Sequence, residues 1–402
     1  MESRNRGETV LEEIYKQLEE NFEETVSIRR YLHQHPELSF EEEKTPQLIA
    51  RHLTEWGIEV REGVGGRGIV GTIRGGQPGK TVALRADFDA LPIQDLKEVP
   101  YRSTVPGKMH ACGHDAHTAT LLSVAKVLQE KRDLLRGNIV LIHQFAEELV
   151  PGGAKEMIKD GCLDGVDVMF GTHLWSTIPV GRAAFQPRAI MAAADHFEVE
   201  IIGRGGHGGL PHETVDPIVL GMNWVQLIQQ IISRNVSPLD SAVISVGAFH
   251  GGDAFNIIPE KVEIKGTVRT LRTEVQEMIE RKMESILHSL CEAAGASYQY
   301  QYIKGYPPVV NHAAETAFVR SCAEDILGTD QCYLTEPLMV GEDFSYYLQH
   351  VPGTFFLTGA GNPEKNAVYP HHHPMFDIDE RAMLHAGKIL ASAAWRFLND
   401  ES

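Results

Sequence analysis

"NIVLIHQFAEE", residues 138–148, decides how the rest of the chain is read. A strand with one wet face alternates apolar and polar residues. Here the apolar residues follow one another, which suits a strand covered on both faces. "KTVALRADFD" (80–89) and "VDVMFGTHLW" (166–175) have the same form. A helical pattern runs from about 115 to 131 between them. Buried strands alternating with helices predict an α/β fold, a mixed sheet flanked by helices. "GIVGTIRG" (68–75) is expected beside residues 80–89 in that sheet. Ligands of such sheets gather beyond the strand ends. Asp87, Asp89, Glu147, Glu148 and His173 are all expected there.

Near residue 187 the rhythm changes. "DHFEVEIIG" (195–203) alternates like a half-exposed strand, and a helix is expected from about 213 to 233. Two strands, "SAVISVGAFH" and "EKVEIKGTVRT", are followed by a helix over 273–294 and the strand "SYQYQYIKG". The order β-α-β-β-α-β is a ferredoxin-like unit. The expected division is therefore 1–186 with 304–402 as one domain and 187–303 as an insert. One charged amphipathic helix is expected over 8–34, and a last helix over 379–397.

The 402 residues carry a net charge of −18, which argues against nucleic acid or an anionic membrane as partner. The first twenty residues lack an apolar run after their charges, so no signal peptide is expected. No stretch approaches the roughly 18 apolar residues of a membrane helix. The five cysteines are odd in number and scattered, which points to a reducing cytoplasm rather than a disulfide framework.

"MHACGHDAHTA" (109–119) carries a cysteine and three histidines just before a helix. Cys112 and His114 can face one ion, with Zn, Mn, Co and Ni all tolerating such a pair. They can also form a thiol–imidazole nucleophile, or only pack. Glu147 and Glu148 end an apolar run, so one carboxylate can bind metal while the other acts as a base. His173 ends another run. "YPHHHPMF" (369–376) adds His371, His372 and His373 between prolines. Five candidate ligands suit two ions with one shared ligand. In the insert, His207 stands between glycine pairs in "GRGGHGGLPH". Asn256 lies in "AFNIIPE", and Arg269 in "KGTVRT" can clamp a carboxylate.

Ten segments, in order from about 29 to 390, resemble the amidohydrolase branch (subfamily D) of the peptidase M20 family: "RRYLHQHPELSFEE", "LRADFDALPIQD", "MHACGHDAHTATLL", "FAEELVPGGAKEMI", "GTHLW", "GRGGHGGLPH", "FNIIPE", "GTVRT", "GEDFSYY" and "HHHPMFDIDE". The resemblance implies a metallopeptidase-like catalytic domain and an inserted lid or dimerisation domain. It implies two divalent metal ions held by Cys112, His114, Glu148, His173 and His372, the last chosen by the family's H-x-P pattern. It gives Glu147 the part of general base and Asp89 that of a supporting acid. His207 becomes the oxyanion donor, in several relatives from a partner subunit. Asn256 and Arg269 become binders of the substrate carboxylate. The implied activity is hydrolysis of N-acyl, above all N-acetyl, amino acids by a homodimer or higher homo-oligomer. A dipeptidase or carboxypeptidase, a thiol hydrolase and a non-catalytic metal-binding relative are the alternatives. Asp87 stands where other branches carry a ligand histidine. Phe145, "LVPGG" and "GGHGG" depart from common family patterns, which bears on substrate preference.

Overall fold

The structure is a computed structural model and describes residues 2–399. The chain opens with three helices, α1 (Glu2–Glu20), α2 (Phe22–Gln34) and α3 (Lys44–Glu55). The single helix expected over 8–34 is broken at Asn21, whose ψ of 1° leaves the helical region. Asparagine favours helix starts, and Glu23 and Glu24 fall in the first turn of α2, where the helix dipole favours acids.

Next come β1 (Glu59–Val64), β2 (Gly68–Arg74), β3 (Gln77–Asp87), α4 (His114–Glu130), β4 (Arg136–Gln144), α5 (Ala154–Lys159), β5 (Val168–Pro179) and β6 (Ala183–Phe185). The chain continues with β7 (Ala193–Ile202), α6 (Pro217–Asn235), β8 (Ala242–His250), β9 (Lys261–Thr270), α7 (Thr273–Ala294) and β10 (Ser297–Ile303). It ends with α8 (Ala313–Leu327), β11 (Cys332–Leu334), α9 (Phe344–Leu348), β12 (Gly353–Gly361) and α10 (Arg381–Asn399).

The chain divides into two compact units. One takes the chain up to Ile190, Val310–Glu336 and the chain from Asp343 onward; the other takes Met191–Val309 and Pro337–Glu342. The sequence pattern gave no sign of the second excursion. It is held by backbone bonds, with Ala192 N–H donating to Leu338 O (3.0 Å) and Val340 O (2.9 Å).

The first unit carries a mixed sheet in the order β1-β2-β4-β3-β5-β12-β6-β11. The expectation that β2 adjoins β3 is corrected: β4 lies between them, parallel to β3 and antiparallel to β2. Strands with unbroken apolar runs need partners on both edges, so β3, β4 and β5 take the interior. The polar β1 is left at an edge. Register then places the site, because Asp87 at the end of β3 is the partner of Gln144 at the end of β4. The loops that follow leave the sheet side by side. His173 is not at a strand end as expected. It lies inside β5, opposite Leu357 of β12.

The second unit is an antiparallel sheet in the order β8-β9-β7-β10. Phe197, Val199 and Ile201 alternate on one face of β7 and pack with Trp224 and Ile228 of α6 and Met283 and Leu287 of α7. Helix α6 starts at Pro217, not 213. Asp216 caps it, its Oδ1 accepting the N–H of Ile218 (2.9 Å) and Val219 (3.3 Å).

Candidate metal centre

The loop after Met109 reaches α4 through Gly113, whose φ of +94° is a region that glycine enters without steric cost. His114 therefore stands at the start of α4, and it is fully buried. Its Nδ1–H donates to Asp89 Oδ1 and to Asp89 O, both at 3.1 Å. Nε2 is buried and without a hydrogen-bond partner, and with a cation in place it would be the lone pair that faces it. Asp87 Oδ2, Glu148 Oε1 and Glu147 Oε2 lie 3.7, 3.8 and 3.9 Å from Nε2.

Asp89 is saturated in the same way. Its Oδ2 accepts from Ser39 Oγ (2.7 Å) and from the N–H of Glu148 (3.0 Å). One carboxylate thereby sets both the tautomer of His114 and the start of the segment carrying Glu148. Burial works against its charge, but these bonds hold its carboxyl below the usual range. Ala146, just before the two glutamates, has φ of +51°, a strained value for alanine. Its N–H donates to Glu42 Oε1 (2.9 Å).

His173 Nδ1–H donates to Leu174 O (2.9 Å), so Nε2 is the unprotonated nitrogen and accepts from the thiol of Cys112, 3.4 Å away. His371 is in none of the candidate ligand groups among the described residues, and its Nε2–H is committed, donating to Leu174 O (3.0 Å). His372 differs: with φ of +65° and its N–H bonded to Ala111 O (2.8 Å), it turns Nε2 to 3.3 Å from Glu148 Oε2. The ligand atoms of Cys112, His114 and His173 all lie within 4.8 Å of one another. So do those of Cys112, Glu148 and His372, and those of His114, Glu147 and Glu148. Two groups sharing one thiol match the donor set of a two-ion site. The orphaned His114 Nε2 and the buried, unpartnered Glu148 Oε1 are what such ions would satisfy.

A further group, Asp87, His114 and His117, meets the same distance test but is closed to metal at His117. The N–H of Leu174 donates to His117 Nε2 (2.9 Å), so Nδ1 carries the proton given to Asp87 Oδ1 (2.6 Å). Asp87 Oδ2 accepts from Arg85 Nη1 (2.6 Å). Asp87 is therefore a buried, fully bonded anion beside the site. His117 is a residue that sequence reasoning passed over; its spacing of three from His114 on α4 was the available signal. Arg85 and Asp343 were also missed. Arg85 donates to Asp343 Oδ1 (3.0 Å) and Gln144 Oε1 (2.9 Å), and Asp343 accepts the N–H of Ala154 (3.0 Å). Together they clamp the two strand ends to the loop after Glu148.

The three remaining candidates are in the second unit. His207 pairs with Ile257 in a short antiparallel ladder, and the N–H of Gly208 donates to Asn256 O (2.8 Å). The structure thus brings His207 and Asn256 together. The turn between the glycine pairs is pinned, with the N–H of Gly209 donating to His207 Nδ1 (2.9 Å). Arg269 stands apart, near the far end of β9. Its Nη1 donates to Asp195 O (3.3 Å), Val268 O (3.0 Å) and Thr267 Oγ1.

The description peptidase family M20/M25/M40 matches residues 83–396. The chain belongs to that family. The protein described as "Putative amidohydrolase YhaA" of Bacillus subtilis is 54% identical over 386 residues, covering 96% of this chain and 98% of that protein. An N-acetyl-L-cysteine deacetylase of the same organism is 42% identical over 379 residues, covering 94% and 89%. Among solved structures, YXEP of Bacillus subtilis, described as a dinuclear metal-binding peptidase of the M20 family, superposes with a TM-score of 0.83 at 32% identity. That match covers 95% of this chain and 99% of the other. This M20 protein is thus a hydrolase of the class that cuts amide C–N bonds.

Proposed function

We propose that this chain hydrolyses the amide bond of N-acyl amino acids, releasing a carboxylate and a free amino acid. The shared thiol of Cys112, standing between the group with His114 and His173 and the group with Glu148 and His372, carries the proposal. These five residues would hold two divalent ions; the sulfur favours Zn, Co or Ni, and Mn is also compatible. Such ions supply Lewis acidity to the amide carbonyl and bring a water within reach of deprotonation near neutral pH.

Glu147 takes the proton of the attacking water and returns it to the departing amine nitrogen. Its carboxylate lies against His114 while the ligand set is complete without it. Asp89 keeps His114 in the tautomer that turns Nε2 inward. His207 donates to the developing oxyanion, and Arg269 and Asn256 hold the free carboxylate of the amino acid. Cys112 acts as a ligand, not a nucleophile. Burial and the charges of Glu148, Glu147 and Asp87 hold its thiol well above the usual range, so a cation is needed to ionise it.

The working form is a homodimer, and the geometry of β9 supports this. His207 and Asn256 lie beyond its Lys261 end, with Arg269 eight residues along the strand. At about 3.3 Å per residue the span is roughly 26 Å, too long for one N-acyl amino acid to bridge within one chain. A second copy supplies the missing end. A cytoplasmic location suits five cysteines that are all buried and in no disulfide. Among the described residues no helix is long and apolar enough to cross a membrane.

The test is release of free amine from N-acetyl and N-benzoyl amino acids and dipeptides. Metal-depleted protein is compared with protein refilled with Mn, Zn, Co or Ni. Metal-restored cleavage of the N-acyl compounds supports the proposal. Cleavage of dipeptides alone moves it to a peptidase, and cleavage that survives chelation overturns it.

A further inference from the structure

Outside the ligand set, the first unit buries a second charged cluster centred on Arg29 of α2, whose side chain is fully buried. Arg29 Nε donates to Asp115 Oδ2 (2.8 Å), Nη2 to Asp377 Oδ1 (2.9 Å) and Nη1 to Glu380 Oε1 (3.3 Å). Asp115 is the residue after His114. Asp377 closes the loop that carries His372. One guanidinium therefore staples together the chain segments that bear two of the candidate ligands. Lys97 adds a second clasp, donating to Phe376 O (2.8 Å) and to His33 Nε2 (2.9 Å), while His33 Nδ1–H donates to Asp115 Oδ2 (2.7 Å). Tyr101 OH donates to Asp377 Oδ2 (2.8 Å).

The two segments do not need this cluster equally. His114 begins a helix of 17 residues whose inner face is packed in the core. His372 sits on an irregular loop at positive φ, with a side chain 54% exposed. Its loop is tied down by the Ala111 bond and by the bonds from Arg29, Lys97 and Tyr101. We infer that Arg29 is a positioning residue for the ion held by Cys112, Glu148 and His372. It acts through Asp377 on the loop and through Asp115 on the segment opposite. This rests on the two-ion proposal above. A planar guanidinium can reach three carboxylates from one point, whereas a lysine ammonium on the same stem cannot hold the same fork. Arg29→Lys keeps the charge and loses the staple.

The experiment is a zinc titration of metal-depleted protein against a chromogenic chelator, with zinc content after dialysis as a second readout. Wild type is expected to bind two equivalents, and His372→Ala one. Arg29→Lys is expected to keep the first equivalent and bind the second about tenfold more weakly, the lower end of what outer-sphere partners contribute. A role in folding alone would lower thermal stability and leave both affinities of the folded protein unchanged; that result overturns the inference. If Arg29→Lys does not fold, Lys97→Met replaces it. That variant removes the clasp on Phe376, and Asp95 keeps the N–H groups of Lys97 and Ser103. Lys97→Met with a wild-type second equivalent overturns the inference. If His372→Ala binds as much zinc as wild type, the two-ion proposal falls and takes this inference with it.

Discussion

Glu147 and Glu148 are chemically identical neighbours, and their surroundings separate them. Glu148 points both oxygens at ligand atoms, Oε2 toward His372 and Oε1 toward His114. Glu147 borders the same space without being needed for either Cys112 group. Glu147→Gln should therefore lower kcat by about 10²- to 10⁴-fold, the usual worth of a positioned general base. Zinc stoichiometry should stay at the wild-type value. Parallel turnover and metal analysis check this, and loss of metal in the variant would make Glu147 a ligand. Asp89→Asn tests the support behind His114. An amide can present N–H to Nδ1, which destabilises the tautomer that faces inward. Metal affinity should fall by about 10- to 100-fold in a chelator competition. Residue types and spacing made the ligand candidates legible in the sequence. They did not show which ring nitrogens were already spent. Leu174 N–H and Asp87 together use both ring nitrogens of His117, and Leu174 O takes the Nε2–H of His371, all partners distant in sequence.

At the scale of elements, unbroken apolar runs named β3, β4 and β5, and alternation named β7. Strand order was not readable, because β2 could satisfy its hydrogen bonds on either neighbour. The structure gives it β4. The three-residue strands β6 and β11 carry too little pattern to be seen at all. Helix α6 shows how a local signal misleads. "PHETVDP" holds two candidate starts, and the one used is Asp216 with Pro217 behind it. Asp216→Ala should cost about 0.5–2 kcal/mol, read as a lower unfolding midpoint of the second unit. An unchanged midpoint would mean that the cap bonds are matched by water.

Buried acids set the pH limits of the first unit. Asp377 and Asp379 are both held below the usual range. Burial opposes their charge, but Arg29 and Lys97 outweigh it at Asp377, and donors on Arg381, Asn362 and Lys365 do so at Asp379. An acid with a depressed folded pKa gives stability that is present above its unfolded value, about 3.9, and lost as pH falls below it. Thermal midpoints should thus drop steeply below about pH 4. Glu42 runs the other way, since burial and the charge of Asp89 push its carboxyl up to about 8. The folded chain holds a proton that the unfolded chain gives up from about pH 4.3, so stability is lost as pH rises between those values. Glu42→Gln should flatten that alkaline decline while leaving the acid limb in place. Midpoints measured from pH 3 to 9 read both limbs at once.

For the whole molecule, the sequence showed an insert, and what the insert is for depends on counting copies. His207 and Arg269 cannot serve one small substrate from a single chain if about 26 Å of β9 separates them. A symmetric pair removes the difficulty, since the same surface on each copy can contribute one end to its partner's site. Two inactive variants then rescue each other. On the proposed roles and the proposed homodimer, His207→Ala removes the oxyanion donor and Glu147→Gln the base, so each variant alone should be nearly silent. After mild dissociation and re-association of an equal mixture, half the dimers carry one copy of each. In those, the intact Glu147 of one copy meets the intact His207 of the other. One site in two is restored, and the mixture should recover about a quarter of wild-type activity. If every site is built within one copy, no arrangement of the two variants restores a complete set, and the mixture stays silent. Recovery near one quarter, tracking the fraction of mixed dimers, would assign His207 to the site of the opposite copy.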